Sequence, residues 1–276
     1  MTAPRSVLVT GCSSGIGLAT ARHLAARGWQ VVASARQQKD VAALSAMGLT
    51  AVRLDIADPD SIGAALNETL TFTGGRLDAL VNNAGLAIPG AVEDLSRELL
   101  QRQFDTNFFG TAELTARVLP LMRRQGSGRI VMLGSILGRV AAPWRGAYNA
   151  SKFALEGYTD TLRLELRGSP IRVSLVDPGP VRSRFRDNSL DNFDACVNLE
   201  ASPHREVYVK LRAQTGARKD NQPFTVDAAT VALKIARVLA SRNPRARYYV
   251  TLPAYLLATA RCLLPAAWLD AVLARI

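Results

Sequence analysis

Short apolar runs that stop at glycine, asparagine or aspartate alternate along this chain with segments whose apolar residues recur at helical spacing. That alternation leaves few folds open. The runs are SVLVTG, WQVVASA, TAVRLD, LDALVNN, GRIVMLGS, IRVSLVDPG and ARYYVT, and helical patterns fall at about residues 15–27, 38–47, 59–72, 96–125, 145–167 and 227–240. Repeated strand–helix–strand units call for a parallel sheet covered on both sides. The expected fold is therefore α/β and doubly wound: a Rossmann-like, mostly parallel seven-stranded sheet flanked by helices. No linker-like stretch divides the chain, so residues 1–276 read as a single domain.

Two segments break the rhythm. Residues 182–224 are polar and arginine-rich, with Pro203, Gly216 and Pro223 interrupting, and read as an irregular excursion that shapes a substrate site. Residues 252–276 form an apolar helical extension carrying Tyr255, Leu256, Leu257, Leu263, Leu264, Trp268 and Leu269. Arg261, Pro265 and Asp270 interrupt it, which suits it poorly to spanning a membrane. Packing on the core, covering the substrate entrance, meeting another subunit and weak membrane contact all remain open for it.

Composition narrows the function classes. Lysine and arginine number 34 against 23 acidic residues, a net charge of +11. The positive charge is scattered in short groups such as Arg123–Arg124, without a basic stripe or zinc-finger spacing, so no nucleic-acid partner is expected. The three cysteines, Cys12, Cys196 and Cys262, lie far apart, which fits neither a disulfide scaffold nor a metal site and suits a reducing cytoplasm. His23 and His204, the only histidines, read as surface or cap residues. The N-terminus lacks the apolar length of a signal peptide, and a cytoplasmic location with at most peripheral membrane association is expected.

The stretch TGCSSGIG, residues 10–17, follows the first strand and opens a helix. There Gly11 permits a tight turn, Gly15 a close approach of a ligand to the backbone, and Gly17 contact of helix with strand, while the helix N-terminus offers unpaired N–H groups to a phosphate. Three residues separate Gly11 from Gly15, so this is a different subclass from the Gly-x-Gly-x-x-Gly fingerprint. At the end of the second strand Arg36 stands where an acidic side chain would accept from a free ribose 2′-hydroxyl. A guanidinium suits a 2′-phosphate, so NADP(H) is expected over NAD(H). Asp55, ending the third strand, either caps the next segment or meets the adenine amino group.

In YNASK, residues 148–152, Tyr148 and Lys152 lie four residues apart and share a helix face. Together with TGCSSGIG, NNAG at 82–85, Asn107, Ser135 and DPGPVRS at 177–183, this pattern resembles the short-chain dehydrogenase/reductase family, most closely its hydroxysteroid and retinol dehydrogenase branch. The resemblance implies Ser135, Tyr148 and Lys152 as the reacting group, with Asn107 holding a proton-relay water through a helix irregularity. It implies cofactor contacts at Gly11, Ser13, Ser14, Gly15, Ile16, Gly17, Arg36, Asp55, Ile56, Asn83, Ala84, Gly85, Tyr148, Lys152, Pro178, Gly179, Val181 and Ser183. Ser183 stands where the family often has threonine. Homodimers or homotetramers are implied as well.

The chemistry agrees with that assignment. Oxidising a secondary alcohol requires a base for its proton, and reducing a ketone requires an acid. A tyrosine ordinarily titrates near 10, and poising it about 2 to 3 units lower takes on the order of 3 to 4 kcal/mol of phenolate stabilisation, which Lys152 and an oxidised nicotinamide are expected to supply. Phe185, Leu190, Phe193 and Tyr208 in the excursion point to a bulky apolar, steroid- or retinoid-like substrate. Two other readings stay open: a dinucleotide-binding regulatory or interaction protein without turnover, and a nucleotide-sugar epimerase or dehydratase.

Overall fold

The alternation in the sequence becomes two apolar layers on one sheet. A computed structural model describes residues 4–217 and 224–274; parts of the excursion, at 218–223, and of the tail, at 275–276, lie outside the described residues. The strands are β1 (Ser6–Val9), β2 (Gln30–Ala35), β3 (Thr50–Arg53), β4 (Ala79–Asn82), β5 (Gly128–Leu133), β6 (Ile171–Asp177), β7 (Val181–Arg182), β8 (Val226–Asp227) and β9 (Arg247–Tyr249). Seven of them form a parallel sheet in the order β3-β2-β1-β4-β5-β6-β9, while β7 pairs with β8 apart from it.

The helices are α1 (Gly15–Ala25), α2 (Gln38–Ala46), α3 (Pro59–Phe72), α4 (Arg97–Phe104), α5 (Gly110–Gln125), α6 (Gly146–Glu165), α7 (Phe185–Cys196), α8 (Arg205–Ala217), α9 (Ala228–Ala240), α10 (Leu252–Leu263) and α11 (Ala266–Leu273). Alternate strand residues feed opposite layers, as a twofold side-chain repeat dictates. Val7, Val9, Ala33, Val81 and Val131 pack with Leu24 of α1, Leu44 of α2 and Ile235 of α9. Leu8, Val32, Leu80, Ile130 and Met132 pack with Ile62 of α3, Val118 of α5 and Leu155 of α6. Because both faces are covered, the strands read as near-continuous apolar runs.

The helical stretch expected at 96–125 is broken at Asp105–Phe109 by a π-turn that carries Asn107. The excursion is more regular than its composition suggests, since it holds α7 and α8. Phe193 is the buried residue of α7, so no apolar stripe betrays that helix in the sequence. The tail folds into α10 and α11, whose Ala254, Ala258, Leu269 and Leu273 pack on Ile136 and Val140 just beyond Ser135. Leu256, Leu263 and Trp268 remain exposed. Among the described residues no helix is long and apolar enough to cross a membrane.

Candidate active site

The loops that build the site follow the C-terminal ends of strands, where parallel sheets leave a crevice, and α6 and the π-turn supply the rest. After β1 the chain turns through Gly11 at φ +71° and Gly15 at φ +58°, both in the left-handed region that favours glycine. A Cβ at Gly11 would stand 2.8 Å from Ala84 Cα, and one at Gly15 would stand 3.0 Å from Ser183 Cβ. Gly17 is tighter still, with Gly11 O only 2.2 Å from where its Cβ would lie. Ser14 caps α1 in extended conformation without a side-chain bond, and the first turn carries no acidic residue. The N–H groups of that turn therefore lack an internal acceptor and suit an anion. Ser13 is exposed beside them, and Ile16 packs partly on the core.

The next strand ends close the crevice. Asn83 donates to Thr10 O at 2.7 Å and Gly11 O at 3.0 Å, while Thr10 Oγ1 accepts from the amides of Asn83 and Ala84, each at 2.9 Å. Thr10 is thus a structural member of the site that sequence reading quoted without assigning. Arg36 is exposed at the end of β2, with no ion-pair partner for its guanidinium among the described residues. Asp55 Oδ1 accepts from Ala57 N at 3.1 Å, whereas α3 is capped by Asp58, so Asp55 turns the chain and leaves the cap to its neighbour. Ile56 belongs to the core, its carbonyl pressed against Gly110.

Ser135 follows β5 and is 8 % exposed; its Oγ accepts from Leu137 N at 3.1 Å. Tyr148, on the first turn of α6, is half-buried, and Lys152 one turn on is buried. The Lys152 ammonium donates to Leu133 O at 2.7 Å and lies 5.8 Å from the centre of the Tyr148 ring. Asn107 clamps Leu86 through both its N–H and its carbonyl, at 2.9 and 3.0 Å, and donates to Ser151 Oγ at 3.1 Å. The π-turn thereby ties the NNAG loop, Gly85 included, to α6. On the far side Ile136 N donates to Pro178 O at 3.1 Å, and Gly179 is required because a Cβ would meet Thr251 Oγ1 at 2.2 Å. Val181 pairs with Val226, which sets Ser183 over Gly15.

The electrostatics depart from expectation at one point. Burial raises the Tyr148 phenol above its ordinary value; the hydrogen bond with Ser135 and the Arg145 cation draw it down, and Asp177 pushes it up. The Arg145 cation thus acts on the phenol in addition to Lys152, whose ammonium lies 5.8 Å from the ring centre. Burial lowers Lys152 to about 8, against the pull of Asp177 and Glu156. Cys12 is sealed in the core, its thiol pushed up to about 12 by burial, so it is no nucleophile.

The excursion supplies less of the cleft wall than its aromatics suggest. Phe185 does meet Tyr148, with ring centres 5.7 Å apart. Phe193 and Tyr208 instead bury against Ala91 and Val197, because the Tyr208 hydroxyl finds partners there: Ala91 N donates to it at 2.6 Å, and it donates to Asp94. His204 joins that clasp, half-buried, 2.5 Å from Glu93 and edge-on to Trp144. Ala91, Val92, Glu93, Pro143, Trp144 and His204 line an open groove of about 470 Å³ beside the clasp. Trp144 takes φ 64°, a strained value for a bulky residue.

Comparison with known proteins gives this geometry its relatives. A family model described as short chain dehydrogenase matches residues 5–193. The uncharacterized oxidoreductase YbbO of Escherichia coli (strain K12) is 40 % identical over 269 residues, covering 98 % of this chain and 94 % of YbbO. Retinol dehydrogenase 8 of Homo sapiens is 42 % identical over 255 residues, 89 % of this chain and 81 % of the relative. Among solved structures, a short chain dehydrogenase/reductase from Burkholderia phymatum in complex with NAD superimposes with a TM-score of 0.77 at 28 % identity, over 95 % of this chain and 94 % of that one.

Proposed function

This chain belongs to the short chain dehydrogenase family, near its retinol dehydrogenase branch, and from that premise we propose that it interconverts a secondary alcohol and a ketone with NADP as the hydride partner. The observation that carries the reading is the placement of Ser135, Tyr148 and Lys152 at the mouth of one crevice, with Lys152 Nζ 5.8 Å from the phenol ring. Ser135 holds the substrate oxygen near the Tyr148 hydroxyl. In oxidation Tyr148 Oη takes the alcohol proton, and in reduction it returns one to the carbonyl oxygen. Lys152 and the Asn83-braced turn hold the ribose and the strand ends. An oxidised nicotinamide bound there would supply the hydride acceptor and positive charge that favours the Tyr148 phenolate.

NADP is preferred over NAD in this reading because Arg36 offers an exposed guanidinium at the end of β2, without an ion-pair partner among the described residues, and no carboxylate stands in its place. The α1 N-terminus, whose N-cap Ser14 makes no side-chain bond, fits the pyrophosphate together with the glycine turn before it. The substrate is bulky and apolar: Phe185 lies against Tyr148, and Val92, Pro143 and Trp144 give the neighbouring open groove apolar surface beside Glu93 and His204. Self-association belongs to the proposal too, since Phe109, Phe153 and Leu164 leave apolar surface on the π-turn and α6.

A panel of ketones and alcohols, matched in carbonyl reactivity and varied in size and charge, tests the reading through cofactor absorbance. Turnover of bulky apolar members is expected. Consistent preference for small anionic substrates, or no turnover of any member, contradicts it.

A further inference from the structure

Beside Lys152 lies a charged cluster that the proposed chemistry does not use. One turn further along α6, Glu156 is 7 % exposed, and Asp177 at the end of β6 is 0 % exposed. Both carboxyls gather at Arg247, yet among the described residues Glu156 Oε1 and both Asp177 oxygens are buried without a hydrogen-bond partner. Arg247 of β9 bridges Glu156, reaches Asp160 at 3.2 Å, and brings its Nε to 3.6 Å from Asp177 Oδ2. Arg139, in the turn after Ser135, stands 3.6 Å from Glu156. Asp177 is packed down onto Gly134, where a Cβ would lie 2.0 Å from its Oδ1. The groups facing the pair are thus Lys152 and Asp160 from α6, Arg139 from that turn, and Arg247 and Tyr249 from β9.

A buried carboxylate whose oxygens lack donors is costly to keep charged, and two carboxylates in one buried site resist ionising together, so one of the pair holds a proton. Burial, then the Glu156 charge, holds Asp177 well above the usual carboxylate range, and burial also raises Glu156. Lys152 sits in the same low-dielectric surroundings, and both carboxyls favour its charged form.

We infer that Asp177 and Glu156 form an acid pair sharing one proton, whose single negative charge keeps the buried Lys152 side chain an ammonium. Both are positioning residues for the Tyr148 chemistry, and the inference rests on the reading of Tyr148 and Lys152 given above. Asp177→Asn imitates the protonated member and leaves the charge in place, whereas the double variant Asp177→Asn/Glu156→Gln removes it.

Two measurements test this. Infrared spectra of the wild-type protein at neutral pH, in water and in heavy water, should show the isotope-sensitive carbonyl band of a protonated buried carboxyl, lost in Asp177→Asn. Absence of that band overturns the pair, and this arm reads the protein whether or not it turns over a substrate, so it is separable from failure of the dehydrogenase reading. In alcohol oxidation, the alkaline limb of kcat/KM marks loss of the Lys152 proton. Asp177→Asn is expected to lower kcat modestly and leave that limb within a few tenths of a pH unit, and the double variant to move it down by about one unit or more. A limb that shifts in Asp177→Asn, or stays put in a folded double variant, overturns the inference. Should the double variant not fold, the infrared band of the wild type still decides.

Discussion

Asn83 and Gly17 compete for the same space: a Cβ at residue 17 would stand 2.5 Å from Asn83 Nδ2, the nitrogen that holds Thr10 O at 2.7 Å and Gly11 O at 3.0 Å. The end of β4 and the phosphate-type turn are therefore one unit. Gly17→Ala has to push that unit apart, at a cost of about 1 to 3 kcal/mol typical of overpacking. A lower thermal midpoint and at least a roughly tenfold loss of dinucleotide affinity are expected, checked by melting and cofactor titration. Unchanged affinity would show that the turn does not cradle the pyrophosphate.

Arg36→Ala removes the exposed guanidinium proposed for the 2′-phosphate. A charge-assisted contact contributes about 1.5 to 3 kcal/mol, so NADP affinity should fall roughly ten- to a hundredfold while NAD affinity changes little. Parallel titrations with both cofactors measure the difference, and equal losses would remove Arg36 from that role.

Tyr208→Phe deletes the hydroxyl that accepts from Ala91 N and donates to Asp94. Both partners lose a bond, a destabilisation of about 1 to 3 kcal/mol. Because the clasp borders the groove lined by Trp144, KM for bulky substrates should rise more than kcat falls. Steady-state kinetics on one bulky and one small ketone separate the two effects.

Stability should depend on pH with opposite signs at two buried groups. Burial, then the Glu156 charge, raises Asp177, so the folded chain keeps a proton that the unfolded chain has released. Its contribution is complete below the ordinary carboxylate value and is lost as pH rises through the folded value. Lys152 is lowered to about 8, so between there and its ordinary 10.5 the unfolded chain binds the extra proton and stability rises with pH. Thermal midpoints across the range check both slopes, and Asp177→Asn should flatten the first.

The glycine turn was legible because each glycine answers a backbone demand, a positive φ or a contact that no side chain could make, and such demands are written locally. The helical pattern at 96–125 gave no sign of the break at Asn107, which only the family resemblance implied and which the π-turn supplies. The helices of the excursion were not, since α7 is anchored by Phe193 without an apolar stripe. Phe193 and Tyr208 read as cleft wall because their size speaks of burial without saying against what. The Asp177–Glu156 pair arises only when β6 meets α6. Glu156 stood one turn from Lys152, a spacing that could have drawn notice, but Arg247 gave no signal on its own strand.

The central claim is that Tyr148 transfers the proton. Tyr148→Phe keeps the ring that packs on Phe185 and removes only the hydroxyl. The measurement is single-substrate turnover of the purified variant beside the parent, with melting and NADP affinity as controls. Both controls are expected to hold and turnover to fall by at least about a hundredfold, the scale of a positioned acid or base. Equal turnover in variant and parent would contradict it.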